Sequence, residues 1–463
     1  MKLRPLIFFI FILVLSSKFF YSQNKNLSKE SVNVKDFGAK GDGVTDDTQA
    51  FQKAANTRKP ILVQNTKNSY LISGRVRLYN SIIGIGNPII KMTSLINNFI
   101  QPKDYKYGKH SIFHIGNYQS NTPLIIEGLI LDGSWNGKNK GSEFEAAVYI
   151  ASSKNIIVRN NIIKNTLGDA ILVYWYNSSY EKEIKNYCEN ILIENNTLIN
   201  PYRCNVAVVS GKDITIKNNK IEKYNDYVVP IDLEMDNWDR DGQLMQNVNI
   251  IGNDIYSSKT EYSISVLGVR NGVNNIKINN NIIRGNEKNG GFGINLEATY
   301  GPIKNIIVNE NRIDADTFVR IAGIRKNYNI VVAANKTNTD VKDKNRALVN
   351  GSYIEALKVY DNISTVSQNY YSNIILGKEV NDVQIYSNNL KSSRWSSLHF
   401  VEDITNLSVS NNILESDDVP VKFELKGDDV AKNIFFSNNN VIGKYKNKGL
   451  LTKNRKIINL KME

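Results

Sequence analysis

Histidine and cysteine are scarce in this chain. Its three histidines, His110, His114 and His399, are too scattered to build a zinc site. Its two cysteines, Cys188 and Cys204, form no CxxC and no Cys/His cluster. They are free to pair outside the cytoplasm, but nothing in the sequence brings them together. Long apolar runs are missing too. The run LIFFIFILVL at residues 6–15 is too short to span a bilayer, and no later stretch reads as transmembrane. Lys2 and Arg4 precede that run and SSKFFYSQ follows it, which suits a signal peptide over residues 1–22, cut near Ser22 or Gln23. An uncleaved anchor is the alternative, and Phe20 is a poor fit to the small residue usual before the cut. The protein is therefore expected to be exported, to be secreted or to sit in the periplasm or at the cell surface. No Lys/Arg block is dense enough to read as a nucleic-acid arm, so a nucleic-acid partner is not expected.

What is present is a diffuse basic excess. Lys and Arg outnumber Asp and Glu by 58 to 45, for a net charge of +13. Loss of residues 1–22 removes Lys2, Arg4 and Lys18 and no acid, leaving +10. A charge of this sign favours an anionic partner, and for an exported chain an anionic polysaccharide. The 463 residues are enough for one elongated domain or for two or three compact ones.

A repeat decides between them. Asn or Asp, an aliphatic, any residue, an aliphatic, two residues and Asn recur from residue 155 onward. NIIVRNN (155–161), NILIENN (190–196), DITIKNN (213–219) and NVNIIGN (247–253) open the series. NIKINNN (275–281), NIIVNEN (305–311), NIVVAAN (329–335) and ALKVYDN (356–362) continue it. DVQIYSN (382–388), NLSVSNN (406–412) and NIFFSNN (433–439) close it, and the final Asn residues lie 23 to 35 positions apart. Eleven copies at this period mark a solenoid. Alternating aliphatic and polar residues mark strands, and no helical stripe of comparable length lies between copies. The expected fold is an all-β, right-handed parallel β-helix with a short N-terminal capping helix, one domain over residues 23–463, monomeric. Asn tolerates left-handed backbone, and stacked Asn amides bond from coil to coil, so most Asn residues belong to corners.

Residues 32–56 differ: VNVKDFGAKGDGVTDDTQAFQKAAN. A short strand, a Gly-rich turn and then Asp46, Asp47 and Thr48 supply capping chemistry for the helix TQAFQKAAN, which seals the first coil within a cap of about residues 32–60. DFGAKGDGVTDDTQAFQKA resembles the opening motif of the pectate-lyase-like superfamily, and LDGSWNG (131–137) and GDAILVYW (168–175) are similar to stretches in it. The resemblance covers roughly residues 32–445. It implies a right-handed parallel β-helix and action on polysaccharides, without fixing the reaction.

A second strand precedes each Asn turn: AILVYW (170–175), NVAVVS (205–210), PIDLEMD (230–236), SISVLG (263–268), GINLEA (293–298) and FVRIAG (318–323). With the aliphatic pairs Ile171/Val173 through Val319/Ile321 pointing inward, the residues between them point out. One outward column reads Leu172, Ala207, Asp232, Ser265, Asn295, Arg320, and the next Tyr174, Val209, Glu234, Leu267, Glu297, Ala322. Asp236 begins a third. Like charges on neighbouring sites repel, so Asp232, Glu234 and Asp236 on one strand face ask for a purpose. Same-face neighbours have Cα atoms ~6.6 Å apart, compatible with paired carboxylates in a glycosidase.

Several chemistries compete for this pattern. Polygalacturonase-type enzymes use an Asp-Asp pair, a Gly-His-Gly and an Arg-x-Lys; GDAI has only Asp169 and no histidine lies between 115 and 398. A lyase needs a basic proton abstractor, for which Arg270 or Arg320 is on offer. The Glu-x-Asp pair with a further Glu two coils later resembles the iota-carrageenases, glycoside hydrolase family 82. That resemblance implies an inverting hydrolase of β-1,4 links in a sulfated galactan, with Glu234 as general acid, Asp236 as general base and Glu297 as a supporting acid. The family's histidine on a nearby coil has no counterpart here, where VLGVRNG supplies Arg270. Asp232, Arg203, Arg270, Arg320, Tyr174 and Trp238, with Trp175, are the expected substrate-binding groups, or ordinary packing and surface. No cofactor is required. NWDRDG (237–242) lacks the Glu of a full calcium loop, which leaves a simpler structural calcium site at Asp239 or Asp241 open. A non-catalytic, polysaccharide-binding β-helix is the reading from a different class.

Overall fold

The structure is a computed structural model. It describes residues 30–93, 111–138, 140–142, 145–175, 186–235, 243–269, 272–285, 291–315, 317–337, 347–366, 372–392, 395–443, 450–452 and 457–462. The signal-peptide reading lies outside the described residues. The chain winds as a right-handed parallel β-helix, and its described residues form three stacked sheets, one of 16 strands and two of 14. One coil shows the order. Ile171–Tyr174 lies in the second sheet, Cys188–Glu194 in the first and Thr197–Ile199 in the third. Every strand pairs in parallel with its counterpart one coil away, as in Ile191↔Ile214 and Leu198↔Ile221. Alternate aliphatic side chains turn inward and form one continuous core from Val34 to Phe436.

Two kinds of corner residue hold the coils in register, and different positions of the repeat carry them. The first and the penultimate positions take left-handed backbone, as at Asn155 (φ 59°) and Asn160 (φ 55°). The final Asn forms a buried ladder instead. Asn161 donates its amide to Asn196 Oδ1 at 3.1 Å, Asn196 to Asn219 at 3.0 Å and Asn219 to Asn253 at 3.0 Å. The ladder continues through Asn281, Asn311, Asn335, Asn362, Asn388 and Asn412 to Asn439. All eleven repeats of the sequence therefore share one column.

Helix α1, Thr48–Asn56, buries Ala50, Phe51, Ala54 and Ala55 against the first coils, with the Phe51 ring edge-on to Tyr70 at 5.4 Å. Its capping differs from expectation. Asp47 occupies the cap position but turns its carboxylate to the backbone N–H groups of Lys40 and Gly41 at 2.7 and 3.0 Å. Asp46 does the capping, accepting from Thr48 N–H at 3.0 Å. Asp42 accepts from the N–H groups of Thr45 and Val44 and from the Thr45 hydroxyl, which hold it down to about 2. Gly41 is required here: its φ is 59° and a Cβ would lie 2.7 Å from Thr66 Oγ1. The opening motif is thus consumed by turn and cap structure. Cys188 and Cys204 are both buried and unpaired with each other. Among the described residues, no helix is long and apolar enough to cross a membrane.

Candidate active site

The outward face of the second sheet carries the acidic column. The strand register is Leu172↔Ala207, Ala207↔Asp232, Asp232↔Ser265, Ser265↔Asn295 and Asn295↔Arg320. The neighbouring column runs Glu234↔Leu267↔Glu297↔Ala322. Both columns lie as the aliphatic alternation requires. Two strand steps of ~4.8 Å place Glu234 and Glu297 on the order of 10 Å apart.

The face is not one open cleft. Leu172 and Ala207 point outward but are buried, together with Ala146, Tyr149, Ala151 and Cys204, in a second apolar cluster. Tyr174 packs on its edge, its ring 5.8 Å from Tyr149 and 5.7 Å from Trp175. Trp175 is itself buried, which corrects the expectation that it offers a stacking face. Asp232 is the next member of the column after Ala207 and is 8 % exposed. Glu234, two residues on, is exposed. The acid cluster therefore stands where the covered face ends and solvent begins.

The electrostatics follow from that border. Burial pushes the Asp232 carboxyl well above the usual carboxylate range, and the charges of Glu234 and Asp169 push the same way. A hydrogen bond to Glu234 also favours protonated Asp232, while Arg203 opposes the shift. The border thus favours the protonated form of Asp232, with Glu234 as its hydrogen-bond partner. Asp169 is buried behind them, accepting from Cys204 N–H at 2.8 Å with Arg203 Nε 3.7 Å away.

Lys223 builds the turn that presents those donors. Its ammonium is buried and donates to the carbonyls of Pro201, Tyr202 and Arg203 and to Asn225 Oδ1. Burial lowers it to about 8, so it remains mostly charged at neutral pH. Beside this turn Trp135, Tyr202 and Tyr227 form an aromatic group, with centroids 4.4 Å apart for the tyrosine pair and 5.5 Å for Trp135 and Tyr202. Tyr227 is 48 % exposed.

Glu297 has a different environment. It accepts from Thr299 Oγ1 at 2.7 Å, Arg320 Nη1 at 3.0 Å and Asn295 Nδ2 at 3.3 Å. Burial opposes ionisation there, but these bonds and the Arg320 charge hold Glu297 below the usual carboxylate range. Arg320 also lies over the rings of Phe292 and Tyr262 at 5.7 and 6.0 Å. Two carboxylates two coils apart in one column thus have different partners, Glu234 a buried acid pushed toward its protonated form and Glu297 a guanidinium.

Asp236, Trp238, Asp239, Asp241 and Arg270 lie outside the described residues. Among the described residues no group of three or more His, Cys, Asp or Glu side chains is placed to hold a metal ion. The sequence reading passed over Lys223 and Tyr227 and treated Asp169 as a lone acid. Asp169 precedes the strand Ile171–Tyr174 and shares the inward parity of Ile171, so alternation by itself does not place it beside the acidic column. Lys223 had no signal either, because the carbonyls it meets belong to the preceding turn.

Comparison with known proteins agrees with this architecture. A glucan 1,3-beta-glucosidase of Cochliobolus carbonum is 30% identical over 163 residues, 30% of this chain and 20% of that protein. A preneck appendage protein of Bacillus phage PZA is 26% identical over 145 residues, 29% of this chain and 16% of that protein. The chain spans about a fifth or less of the length of these curated relatives. A tailspike protein of E. coli bacteriophage HK620, solved with a pentasaccharide, superposes with TM-score 0.57 over 95% of this chain and 81% of that one at 11% identity. This last likeness is one of fold. The model of one family matches residues 31–285, from the capping motif past Asp232 and Glu234 but short of Glu297, and by that match the chain belongs to the pectate-lyase-like family described as rhamnogalacturonase A/epimerase.

Proposed function

We propose that the protein is a glycoside hydrolase that cleaves an anionic polysaccharide at the acidic column of the second sheet. The observation that carries the reading is buried Asp232, its carboxyl pushed well above the usual range, in contact with exposed Glu234. A general acid must be protonated at the working pH and must reach the glycosidic oxygen. Glu234 meets the second need and Asp232 the first. Asp232 passes its proton across their hydrogen bond to Glu234 as Glu234 delivers one to the leaving oxygen, so the pair gives up one proton and Asp232 is left ionised until solvent returns it. The base that activates water falls to Asp236 on the Glu-x-Asp resemblance, which implies inversion. Ionised Glu297 fixes Arg320, which faces the sulfate or carboxylate of the substrate, and Tyr227 offers a ring to a sugar face.

The Glu-x-Asp resemblance favours a sulfated galactan of the iota-carrageenan type, and the family description favours a uronate-containing pectic polymer. An assay over iota-, kappa- and lambda-carrageenan, rhamnogalacturonan, polygalacturonate and alginate separates them. New reducing ends without an unsaturated, ultraviolet-absorbing product are expected on one polymer. Unsaturated products would replace the hydrolase by a lyase. Binding without turnover on every polymer would replace both by a non-catalytic binding protein.

A further inference from the structure

A cavity of about 540 Å³ opens at the N-terminal end of the helix, away from the carboxylates. It lies where the second sheet turns toward the first, between the segment after Val76–Arg77 and the segment after Phe113–Gly116. Among the described residues eleven line it and none of these is acidic, while two are arginines, Arg58 and Arg77. Their guanidinium groups lie 5.2 and 5.4 Å from the ring centre of Tyr79. Stacking on a shared ring orients both forks before any ligand arrives. The Arg77 backbone is fixed in turn by Gln52 of α1, whose amide accepts from Arg77 N–H at 2.8 Å and donates to its carbonyl at 3.3 Å.

Arg58 occupies a position that its own backbone disfavours. It follows the end of α1 in the left-handed region, φ 58°, with its N–H bonded to the Ala55 carbonyl at 3.0 Å and its carbonyl to Asn80 Nδ2 at 2.9 Å. Glycine is the preferred residue at such a helix end, and elsewhere this chain uses Gly, Asn or Asp at most left-handed positions. An exposed arginine held there against backbone preference points to a use for its side chain.

We propose that this cavity is a second saccharide site, distinct from the acidic column, that binds an acidic sugar residue through Arg58 and Arg77. The volume suits one or two sugar rings, within the usual range for ligand pockets. Paired guanidinium forks suit a carboxylate or a sulfate. Arg77 heads the outward column that reaches Asp232 through His114, Tyr149, Leu172 and Ala207. Those four intervening side chains are buried, so the cavity is a separate site about 24 Å from Asp232 by five strand steps. Its role is to anchor a polyanion whose cleaved bond lies elsewhere, and binding there does not require hydrolysis.

The test is calorimetric titration of the full chain carrying Glu234→Gln, with and without Arg58→Gly. The probes are a galacturonate tetramer, a sulfated carrageenan tetrasaccharide and cellotetraose. At least one anionic probe is expected to bind, with Arg58→Gly weakening one of its sites at least tenfold. The same substitution relieves the backbone and should leave the melting temperature unchanged or raised, so lost binding is not lost folding. The two anionic probes distinguish carboxylate from sulfate recognition. Unchanged affinity and stoichiometry in Arg58→Gly would overturn the proposal, as would equal binding of cellotetraose at that site or no binding of either anionic probe. Absence of any Arg58-dependent binding, with hydrolysis intact in the unsubstituted chain, refutes this site alone; Arg58-dependent binding without hydrolysis of any polymer refutes only the hydrolase reading.

Discussion

Asp232 is costly to the fold where it stands. Its folded carboxyl is held well above its unfolded value, chiefly by burial. For a group shifted in that direction, the folded state binds more protons than the unfolded state once the pH exceeds the unfolded value near 4. Its favourable contribution is full below that value and is lost as pH rises toward the folded pKa. Asp232→Asn should therefore raise the melting temperature at pH 7–8 and flatten its fall above pH 4, measured by thermal unfolding across pH. The same substitution should lower hydrolysis, because the proton store is gone. Glu234→Gln should lower kcat about 10²–10⁴-fold with little change in stability, as fits an exposed acid. A variant that gained no stability at Asp232, or lost no activity at Glu234, would contradict the division of labour between them.

At the scale of elements, the Asn ladder and the Lys223 turn do different work. Asn281 accepts from Asn253 and donates to Asn311 and to the carbonyls of Ile250 and Asn279. Asn281→Ala would strand several buried partners and should cost about 2–4 kcal/mol, read as a lower urea midpoint. Lys223→Met leaves three backbone carbonyls without their donor and should cost about 2–4 kcal/mol. Because that turn presents Arg203 and the Cys204 N–H to Asp169, activity should fall further than folding explains, read as kcat on the folded fraction. The ladder was legible in the sequence because one residue type recurs at one place in a repeat. The Lys223 turn was not, since a single lysine at a strand end reads as surface until its coil closes over it. The apolar cover over Leu172 and Ala207 was hidden for the same reason: alternation tells which way a side chain points and not what lies on top of it.

At the scale of the whole molecule, net charge and shape act together. A chain of net charge +13, or +10 without residues 1–22, attracts a polyanion from solution. Raising salt from about 0.05 to 0.5 M shortens the screening length from above 10 Å to below 5 Å, so the apparent KM for a polymeric substrate should rise several-fold while kcat changes little. Steady-state kinetics across salt would show it, and a KM indifferent to salt would point to a neutral substrate.

The sequence by itself determined the solenoid, its strand register and the columns on its outer face. Each follows from short-range rules, the period-two alternation of a strand and the regular return of Asn. Only the tertiary structure decided which outward residues are buried, which carboxyl is pushed toward its protonated form and which is tied to Arg320. Those depend on loops from separate coils meeting over one face, and on the local dielectric and charge they create there. PIDLE fixes the order of Asp232 and Glu234 along a strand; the folded chain buries Asp232 beside the Ala207 cluster and leaves Glu234 in solvent.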